Sequence, residues 1–361
     1  MKVILTITRY LVGILFIFSG LIKANDPLGL SYKMQEFFEV WGLHSLNDFT
    51  LAFSVLMIAF EIIAGVAVII GWQMRLFSWL LLLLIIFFTF LTGYALFSGK
   101  IKTCGCFGDC IPLTADQSFI KDLLLLGGIL LLFVNRHGIT TSMNSRNSLL
   151  ILALTTFFSF GLQWYVLNYL PILDCLPYKK GARISEQMKI PAGAIPDSTV
   201  ITFVYNKAGQ ELEFTADQFP DDFDESVYSF VRRYDKLIRK GNAEPKIKDF
   251  VLLAPNGTDT TDAILAQSGE MHWLFIQALN ENDKKSILDE LNQLASTVSS
   301  NGRPVYIITP IAEEVETFLT AAKTPVLVFR SDAVAVKTAA RYPATLYRLI
   351  DGVVVEKKAV R

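Results

Sequence analysis

Histidine and charged residues are scarce in this 361-residue chain, and the pattern of each argues against a class of function. The three histidines, His44, His137 and His272, are scattered and show no metal-ligand spacing. The 33 Lys and Arg residues nearly balance the 34 Asp and Glu residues, and there is no basic block, which argues against nucleic-acid binding. Phosphate-binding loops, nucleophile-elbow motifs and repeats of solenoid length are also missing from the sequence.

Apolar residues, by contrast, are abundant and unevenly distributed. They make up 52% of the chain, with 27 Phe and a mean hydropathy of +0.42, which is too apolar for an ordinary soluble domain. Only 18 of the charged residues lie in residues 1–170. The sequence therefore predicts a membrane domain over 1–170, a linker with a hairpin and a helix over 171–245, and a soluble domain over 246–361.

Five apolar stretches approach the roughly 20 residues needed to cross a bilayer. They predict an all-α bundle with membrane helices at about residues 3–21, 51–71, 77–97, 120–134 and 149–170. The first is too long for a signal peptide and lacks a cleavage site, so we expect a retained helix. The short loops with Arg and no acid, around Arg75 and 136–146, favour the cytoplasmic side. This orientation places 99–119 and 171–361 outside a bacterial inner membrane, in the periplasm.

The first outer loop contains an amphipathic pattern. Its apolar residues Met34, Phe37, Phe38 and Trp41 share one helical face. This pattern predicts a helix lying in the membrane interface with aromatic anchors. The alternative is a packed loop helix without a functional contact.

The chain has four cysteines, Cys104, Cys106, Cys110 and Cys175, and the predicted topology places all four on the outer side. An oxidising compartment permits disulfides there. A bond between Cys104 and Cys106 would close a small ring, which strain would make readily reducible. Of the neighbouring charges, Lys102 would favour a thiolate at Cys104 and Asp109 would disfavour one at Cys110.

Three interpretations of these cysteines remain open. They can form structural disulfides that tie the 99–119 loop to the segment after the fifth membrane helix, and four cysteines allow three complete pairings. They can hold zinc through four thiolates, although the spacing departs from the usual finger patterns. They can also exchange disulfides with a partner protein, in which case all four are candidate catalytic residues.

The string Cys104-Gly105-Cys106-Phe107-Gly108 resembles the C-G-C-F-G loop of the MauE/DoxX family of redox-associated membrane proteins. Further similarities cover about residues 5–136. They comprise Arg9, Gly13, Phe16, Ser19, Gly20 and Lys23 in the first helix, Glu61 and Gly65 in the second, and Ser118, Phe119, Lys121 and Asp122 opening the fourth. The resemblance implies a four-helix membrane core, and its methylamine-utilisation members are thought to help form disulfides in a periplasmic partner.

Turnover at these cysteines needs an electron acceptor. No cysteine is reachable from the cytoplasmic side in the predicted topology, so electrons must pass to another periplasmic thiol or to a membrane carrier such as quinone. Glu61 lies near the middle of an apolar helix, where a charge is costly and usually functional. It is a candidate proton acceptor beside a quinone. Alternatively, it pairs with Arg9 or a neighbouring hydroxyl and locks the bundle.

The soluble half alternates between strand and helix patterns, which indicates an α/β layer fold. The predicted strands are 199–205, 211–215, 250–253, 272–279, 304–309, 326–329, 345–350 and 353–356, and the predicted helices are 225–240, 283–299 and 311–322.

From about residue 246 the chain resembles a TlpA-type thioredoxin fold. The matching segments are 247–252, Trp273-Leu274-Phe275-Ile276 and Pro343-Ala344-Thr345. The resemblance implies a cis-proline at Pro343, beside which extended substrate peptide binds. The C-x-x-C pair expected after Ile276 is absent, so this domain is not expected to perform dithiol exchange by itself.

Together these patterns predict a multi-pass inner-membrane protein, in contact with lipid, whose Cys104–Cys110 loop carries out thiol–disulfide exchange or disulfide formation for an unidentified periplasmic protein. The alternative is a non-enzymatic membrane scaffold whose degenerate thioredoxin-like domain binds a partner.

Overall fold

The structure is a computed structural model that describes residues 2–101, 105, 107–221, 223–239, 241, 243–298 and 303–361. Five of its helices are long and apolar enough to cross a membrane, as the sequence predicts. The helices before the first strand are α1 (Lys2–Ala24), α2 (Pro27–Val40), α3 (Thr50–Ile70), α4 (Met74–Ser98), α5 (Ala115–Val134), α6 (Ser145–Tyr169) and the short α7 (Ile184–Gln187). A 3₁₀ helix, His44–Phe49, precedes α3, and α2 is the helix predicted in the first outer loop.

Small residues let α1 and α3 approach closely. A Cβ atom on Gly13 would lie 2.8 Å from the carbonyl oxygen of Gly65, and one on Gly65 would lie 2.8 Å from that of Gly13. A Cβ on Gly20 would collide with the side chain of Ile62, 2.5 Å away. Membrane helices associate through such small-residue contacts because lipid supplies no hydrophobic driving force between them. This close packing brings the polar residues of α1 and α3 within reach of one another.

The remainder of the chain is rich in β structure and forms two sheets. The strands are β1 (Ser198–Lys207), β2 (Gln210–Thr215), β3 (Tyr228–Arg239), β4 (Glu270–Ile276), β5 (Val305–Thr309), β6 (Leu327–Arg330), β7 (Ala344–Ile350) and β8 (Val353–Ala359). The helices between them are α8 (Thr261–Leu265), α9 (Glu281–Val298), α10 (Ala312–Ala321) and α11 (Ala333–Ala339).

The first sheet is antiparallel, with the order β2-β1-β3, and it corrects one prediction. The predicted hairpin of β1 and β2 is confirmed, but the helix predicted over 225–240 is wrong because β3 occupies this segment and pairs with β1 from Lys207↔Tyr228 to Ser198↔Arg239. Aromatic residues characteristic of strands are present there, and Tyr228 packs on Phe214 and Phe223. Aromatic packing between strands therefore stabilises a strand in this segment, although its charged residues are spaced as in a helix.

The second sheet has the order β6-β5-β4-β7-β8, with β4, β5 and β6 parallel and β7 and β8 antiparallel. Alternate residues of β4 pack into separate hydrophobic cores on the two faces of this sheet. Trp273 and Phe275 pack with Tyr347 on one face. Leu274 and Ile276 pack with residues of α9 and α10 on the other face.

The strand predicted over 250–253 is wrong, because the structure shows only two isolated bridges there, from Leu253 to Asp259 and to Arg330. The backbone of Leu253 exchanges two 2.9 Å hydrogen bonds with Arg330. The segment is bounded by Asp249, whose φ is +56°, and by a turn at Gly257, so no longer ladder forms.

Candidate functional site

The cysteine loop connects α4 to α5 over residues 99–114, because α5 begins within the loop predicted over 99–119. Its residues Lys102, Cys104 and Cys106 lie outside the described residues. Among the described ones, Gly105 and Gly108 have φ values of +67° and +56°, which favour glycine. The ring of Phe107 lies 5.7 Å from that of Phe18 on α1. The two glycines therefore allow a tight backbone in the loop, and Phe107 anchors the loop to the bundle.

A disulfide joins Cys110 of the loop to Cys175, which follows α6, with the Cα atoms 4.8 Å apart. This bond brings the loop and the start of the C-terminal part to the same end of the bundle. Cys110 is consequently no thiolate, so the predicted effect of Asp109 on its ionisation does not apply.

Arg341 fastens the C-terminal part to this end of the membrane helices. Its Nε lies 2.9 Å from Asp26 Oδ2 and its Nη2 lies 2.9 Å from Asp109 Oδ2, and the side chain is only 5% exposed. Asp26 also caps α2, since its side chain accepts from the Gly29 amide at 3.1 Å. Burial alone would lower the pKa of Arg341, but Asp26 and Asp109 outweigh it and raise that pKa. Arg341 is therefore a fixed cation held between the cysteine loop and α2.

A second contact lies beside Arg341. The hydroxyl of Tyr32 on α2 donates to Gln277 Oε1 at 3.2 Å, and the Tyr32 ring lies beneath the Arg341 guanidinium, 5.3 Å away. Gln277 follows β4, where the thioredoxin resemblance would place the C-x-x-C pair. Burial raises the pKa of Tyr32. The edge of the C-terminal fold at Gln277 thus faces α2.

Pro343 belongs to the same edge, because its carbonyl accepts from the Gln277 amide at 2.8 Å. No peptide bond among the described residues is cis, so the bond before Pro343 is trans and the predicted cis-proline is wrong. A trans X–Pro bond is the more stable form, and the Gln277 hydrogen bond holds this segment against β4.

The segment after α6 is held independently. Asn25 donates to the Leu173 carbonyl at 2.8 Å and accepts from the Leu173 amide at 2.9 Å. Lys357 on β8 pairs with Asp174 at 2.9 Å. Burial lowers the pKa of Lys357, against the opposing attraction of Asp174. Together with the disulfide, these contacts fix the junction between the last membrane helix and the C-terminal fold.

Glu61 forms a buried ion pair inside the bundle. Its Oε1 lies 2.6 Å from Lys23 Nζ, and its Oε2 accepts from the Ser19 hydroxyl at 3.1 Å. The two charged side chains are 1% and 4% exposed. The predicted alternative of a neighbouring hydroxyl is therefore present. Pairing with Arg9 is wrong, because Arg9 lies at the opposite end of α1, against Thr140 and Ser142.

A second polar pair lies at the start of α5. Lys121 Nζ is 2.6 Å from Asp122 Oδ1, and the Thr92 hydroxyl of α4 donates to Asp122 Oδ2 at 3.0 Å. Asp122 is fully buried. The Lys121 ammonium also lies over the ring of Phe107 in the cysteine loop, 5.3 Å away. The pair therefore connects α4, α5 and the loop.

Both pairs line one cavity of about 430 Å³ between α2 and the bundle. The apolar face predicted for α2 covers it, since Met34, Phe37, Phe38 and Trp41 all line the cavity. These residues thus pack over the bundle, with Trp41 against Tyr94 of α4 at 5.5 Å. The position of α2 in the membrane interface stays a prediction. Gly105 and Phe107 of the cysteine loop line the same space. This volume is within the range of small-molecule sites, about 300–1,000 Å³.

Among the described residues, no group of three or more His, Cys, Asp or Glu side chains could hold a metal ion. Since Cys104 and Cys106 lie outside that set, the four-thiolate zinc alternative is not tested in full. Cys110 and Cys175 are bonded to each other in this structure and supply no thiolates.

Residues 1–135 match the family described as methylamine utilisation protein MauE. The MauE-like part covers α1 to α5, and so includes the cysteine loop and both buried ion pairs. Residues 199–240, which form the first sheet, match a domain of unknown function, DUF8463. No curated protein and no solved structure matches the chain. The matches support a MauE-like multi-pass membrane protein whose C-terminal part extends beyond the family.

Sequence reasoning missed two site residues. Lys23 is among the MauE-like similarities, but its pairing with Glu61 was not predicted. A lysine at the end of one apolar helix and a carboxylate within the next would have indicated such an ion pair. Arg341 gave no such signal, because its partners Asp26 and Asp109 lie 315 and 232 residues away in the chain.

Proposed function

We propose that this chain is a thiol–disulfide redox protein of a bacterial inner membrane, acting on a partner protein in the periplasm through Cys104 and Cys106. The principal supporting observation is the Cys110–Cys175 disulfide, which accounts for two of the four cysteines. The other two, Cys104 and Cys106, flank in the sequence Gly105, which lines the cavity. The MauE-like match over this loop supports a redox role.

The exchange requires no residue beyond these two cysteines and the partner's own pair. A partner thiolate attacks one sulfur of the Cys104–Cys106 disulfide and forms a mixed disulfide, releasing the other cysteine as a thiolate. The partner's second thiolate then attacks the partner sulfur of the mixed disulfide, which forms the partner's disulfide and releases the bound cysteine of this chain as a thiolate. The partner gains one disulfide and loses two electrons, while Cys104 and Cys106 accept those electrons and, after protonation, become two thiols.

We further propose that the C-terminal sheet is thioredoxin-like and positions the cysteine loop. Its βαβ unit, β4-α9-β5, lies beside the antiparallel hairpin β7-β8, which is the arrangement that the resemblance implies. Arg341 reaches from this domain to Asp109, next to Cys110 in the loop. Peptide binding beside Pro343 stays a prediction.

The proposed location rests on loop charges and on the shared end of the bundle. The Arg-containing loops near Arg75 and 136–146 lack acids. The disulfide and the Arg341 contacts bring the cysteine loop and the C-terminal fold to the same end of the bundle. This agrees with a topology of five membrane spans in which both segments lie outside. Disulfides persist in the periplasm, which supports this side.

A scaffold that binds a partner without chemistry is the second candidate, and one observation favours it. Strand β3 exposes Phe230, Val231 and Ile238 by 59%, 42% and 58%. Exposed apolar side chains are typical of an interaction surface when they form a patch.

Trapping of a mixed disulfide separates the two functions. We expect the Cys104→Ser or the Cys106→Ser variant to accumulate a reducible adduct with its partner, because the remaining thiol forms a mixed disulfide with the oxidised partner and the serine cannot displace that partner. The adduct is measured by affinity purification under alkylating conditions and mass spectrometry. The double variant Cys104→Ser/Cys106→Ser retains the Cys110–Cys175 bond and is the matched control.

An adduct in one single variant and none in the double variant is the expected outcome. The exchange function is wrong if neither single variant yields an adduct. The scaffold is favoured if all three variants recover the same partners without a covalent link.

A further inference from the structure

The polar end of the cavity suits an uncharged ligand. Three lysines line it, and each already has a carboxylate partner: Lys23 pairs with Glu61, Lys121 with Asp122, and Lys33 with Glu36. Two of these carboxylates, Glu61 and Asp122, are almost fully buried. An anionic head would compete with these buried partners, whereas a neutral head with carbonyl oxygens could accept hydrogen bonds from the ammonium groups that are already in place.

The rest of the cavity suits a flat ring with an aliphatic tail. Aromatic side chains line it from four helices, with Phe16 on α1, Phe37 and Phe38 on α2, Phe60 on α3 and Phe88 on α4. The Lys23 ammonium lies 4.9 Å from the Phe88 ring centroid, so the polar end and the aromatic wall meet. Aromatic walls pack efficiently against planar rings and hydrocarbon.

The cavity is reached from the lipid. Phe53 and Leu56 on α3 and Phe87 on α4 line it, yet they are 42%, 58% and 42% exposed. All three lie within membrane-spanning helices, where exposed apolar side chains face hydrocarbon. A ligand dissolved in the bilayer can therefore enter between α3 and α4 without crossing water.

We infer that this cavity binds a membrane quinone, with its ring between the Lys23–Glu61 and Lys121–Asp122 pairs and its isoprenoid tail leaving between α3 and α4. This inference rests on the proposed function, to which it adds the electron acceptor. In the reoxidation step, the Cys104 and Cys106 thiols lose two electrons and two protons and form one S–S bond. The quinone gains both electrons and both protons and becomes the quinol. The lysines donate hydrogen bonds to the quinone carbonyls, and Glu61 and Asp122 accept from the quinol hydroxyls.

Binding is tested on the full chain in detergent with decylubiquinone as the probe. Trp41 lines the cavity, so we expect the probe to quench tryptophan fluorescence in a saturable manner, and the saturable part to be lost in Trp41→Phe. Trp79 and Trp164 face the lipid, with 51% and 63% exposure, and report only non-saturable quenching by probe dissolved in the micelle.

A pair of neighbouring substitutions on α4 provides the control for site and folding. Leu84 lines the cavity, whereas Leu83 is 59% exposed to lipid and does not line it. We expect the probe to raise the Tm of the wild type and of Leu83→Trp, because a ligand that binds the folded state stabilises it. Leu84→Trp fills the cavity and should weaken binding about tenfold or more. Its Tm without the probe shows whether it is folded.

The inference is overturned if the folded wild type shows neither saturable quenching nor a Tm shift, or if Leu84→Trp binds as well as Leu83→Trp. Failure of the proposed function gives a different result. Binding should persist in Cys104→Ser/Cys106→Ser, since the cavity does not need the thiols. If the reduced wild type binds the probe but does not reduce it, the quinone site stands and dithiol oxidation by quinone is wrong.

Discussion

Replacing Lys23 with methionine is expected to destabilise the membrane bundle by about 3–5 kcal/mol, because it leaves the Glu61 carboxylate buried without its counter-charge. Glu61→Gln should cost a similar amount, since it leaves the Lys23 ammonium buried instead. The double variant Lys23→Met/Glu61→Gln removes both charges and should recover most of the loss. The free energy of unfolding is measured on the full chain in detergent for all four members of this cycle.

Lys33 provides the matched control. It also forms a lysine–carboxylate pair at the cavity, with Glu36 at 2.8 Å, but the two side chains are 27% and 37% exposed. Lys33→Met should therefore cost less than about 1 kcal/mol. The Lys23–Glu61 pair does not stabilise the bundle as proposed if Lys23→Met and Lys33→Met lose equal stability. The same holds if Lys23→Met/Glu61→Gln is as unstable as the two single variants.

Substitution of Arg341 by methionine is expected to release the C-terminal fold from α2 and the cysteine loop. The variant leaves the buried Asp26 carboxylate without its cation, which costs about 3–5 kcal/mol. We expect faster hydrogen exchange in α2 (Pro27–Val40) and a lower Tm of the full chain. Arg348→Met is the control: Arg348 pairs with Glu356 and is 37% exposed, so its loss should have little effect.

The Arg341 variant should also show a defined dependence on pH. Burial raises the pKa of Asp26 above its ordinary value of 3.8, against the lowering effect of Arg341. Without Arg341 that pKa rises further, so the folded variant binds a proton more readily than the unfolded chain does. Its stability therefore falls as pH rises above 3.8 through the folded pKa. The deficit should be largest at neutral pH and should shrink in acid; a deficit that grows in acid would contradict the role of Asp26.

The membrane helices could be predicted because long apolar runs specify them locally. Glu61 was found for the same reason, as an isolated carboxylate in an apolar helix. The first sheet shows the limit of local patterns: β1 and β2 form a hairpin with a short turn, whereas β3 carries a charged sequence that also suits a helix. Its strand conformation depends on pairing with β1, a contact that no local pattern contains.

The contacts between Arg341 and the membrane domain could not be predicted from the sequence for a related reason. Arg341 and Asp26 are 315 residues apart, and each is unremarkable in its own segment. The prediction of a cis bond before Pro343 was wrong because it was transferred from the thioredoxin resemblance. In this chain the segment is held by a hydrogen bond from the Gln277 amide. The cavity depends on α2 folding over the bundle, a contact that the aromatic pattern of α2 does not specify by itself.

The most direct measurement of the central claim is the redox titration of all four cysteines in one sample. The full chain is equilibrated in a series of glutathione buffers, alkylated differentially and analysed by peptide mass spectrometry. We predict that Cys104 and Cys106 change together from thiols to a disulfide at a potential well above about −300 mV, because their bond closes a small strained ring. Cys110 and Cys175 should stay oxidised throughout, as the internal reference for a structural bond. The account is contradicted if Cys104 and Cys106 stay oxidised in every buffer, or stay reduced in every buffer with stoichiometric zinc bound.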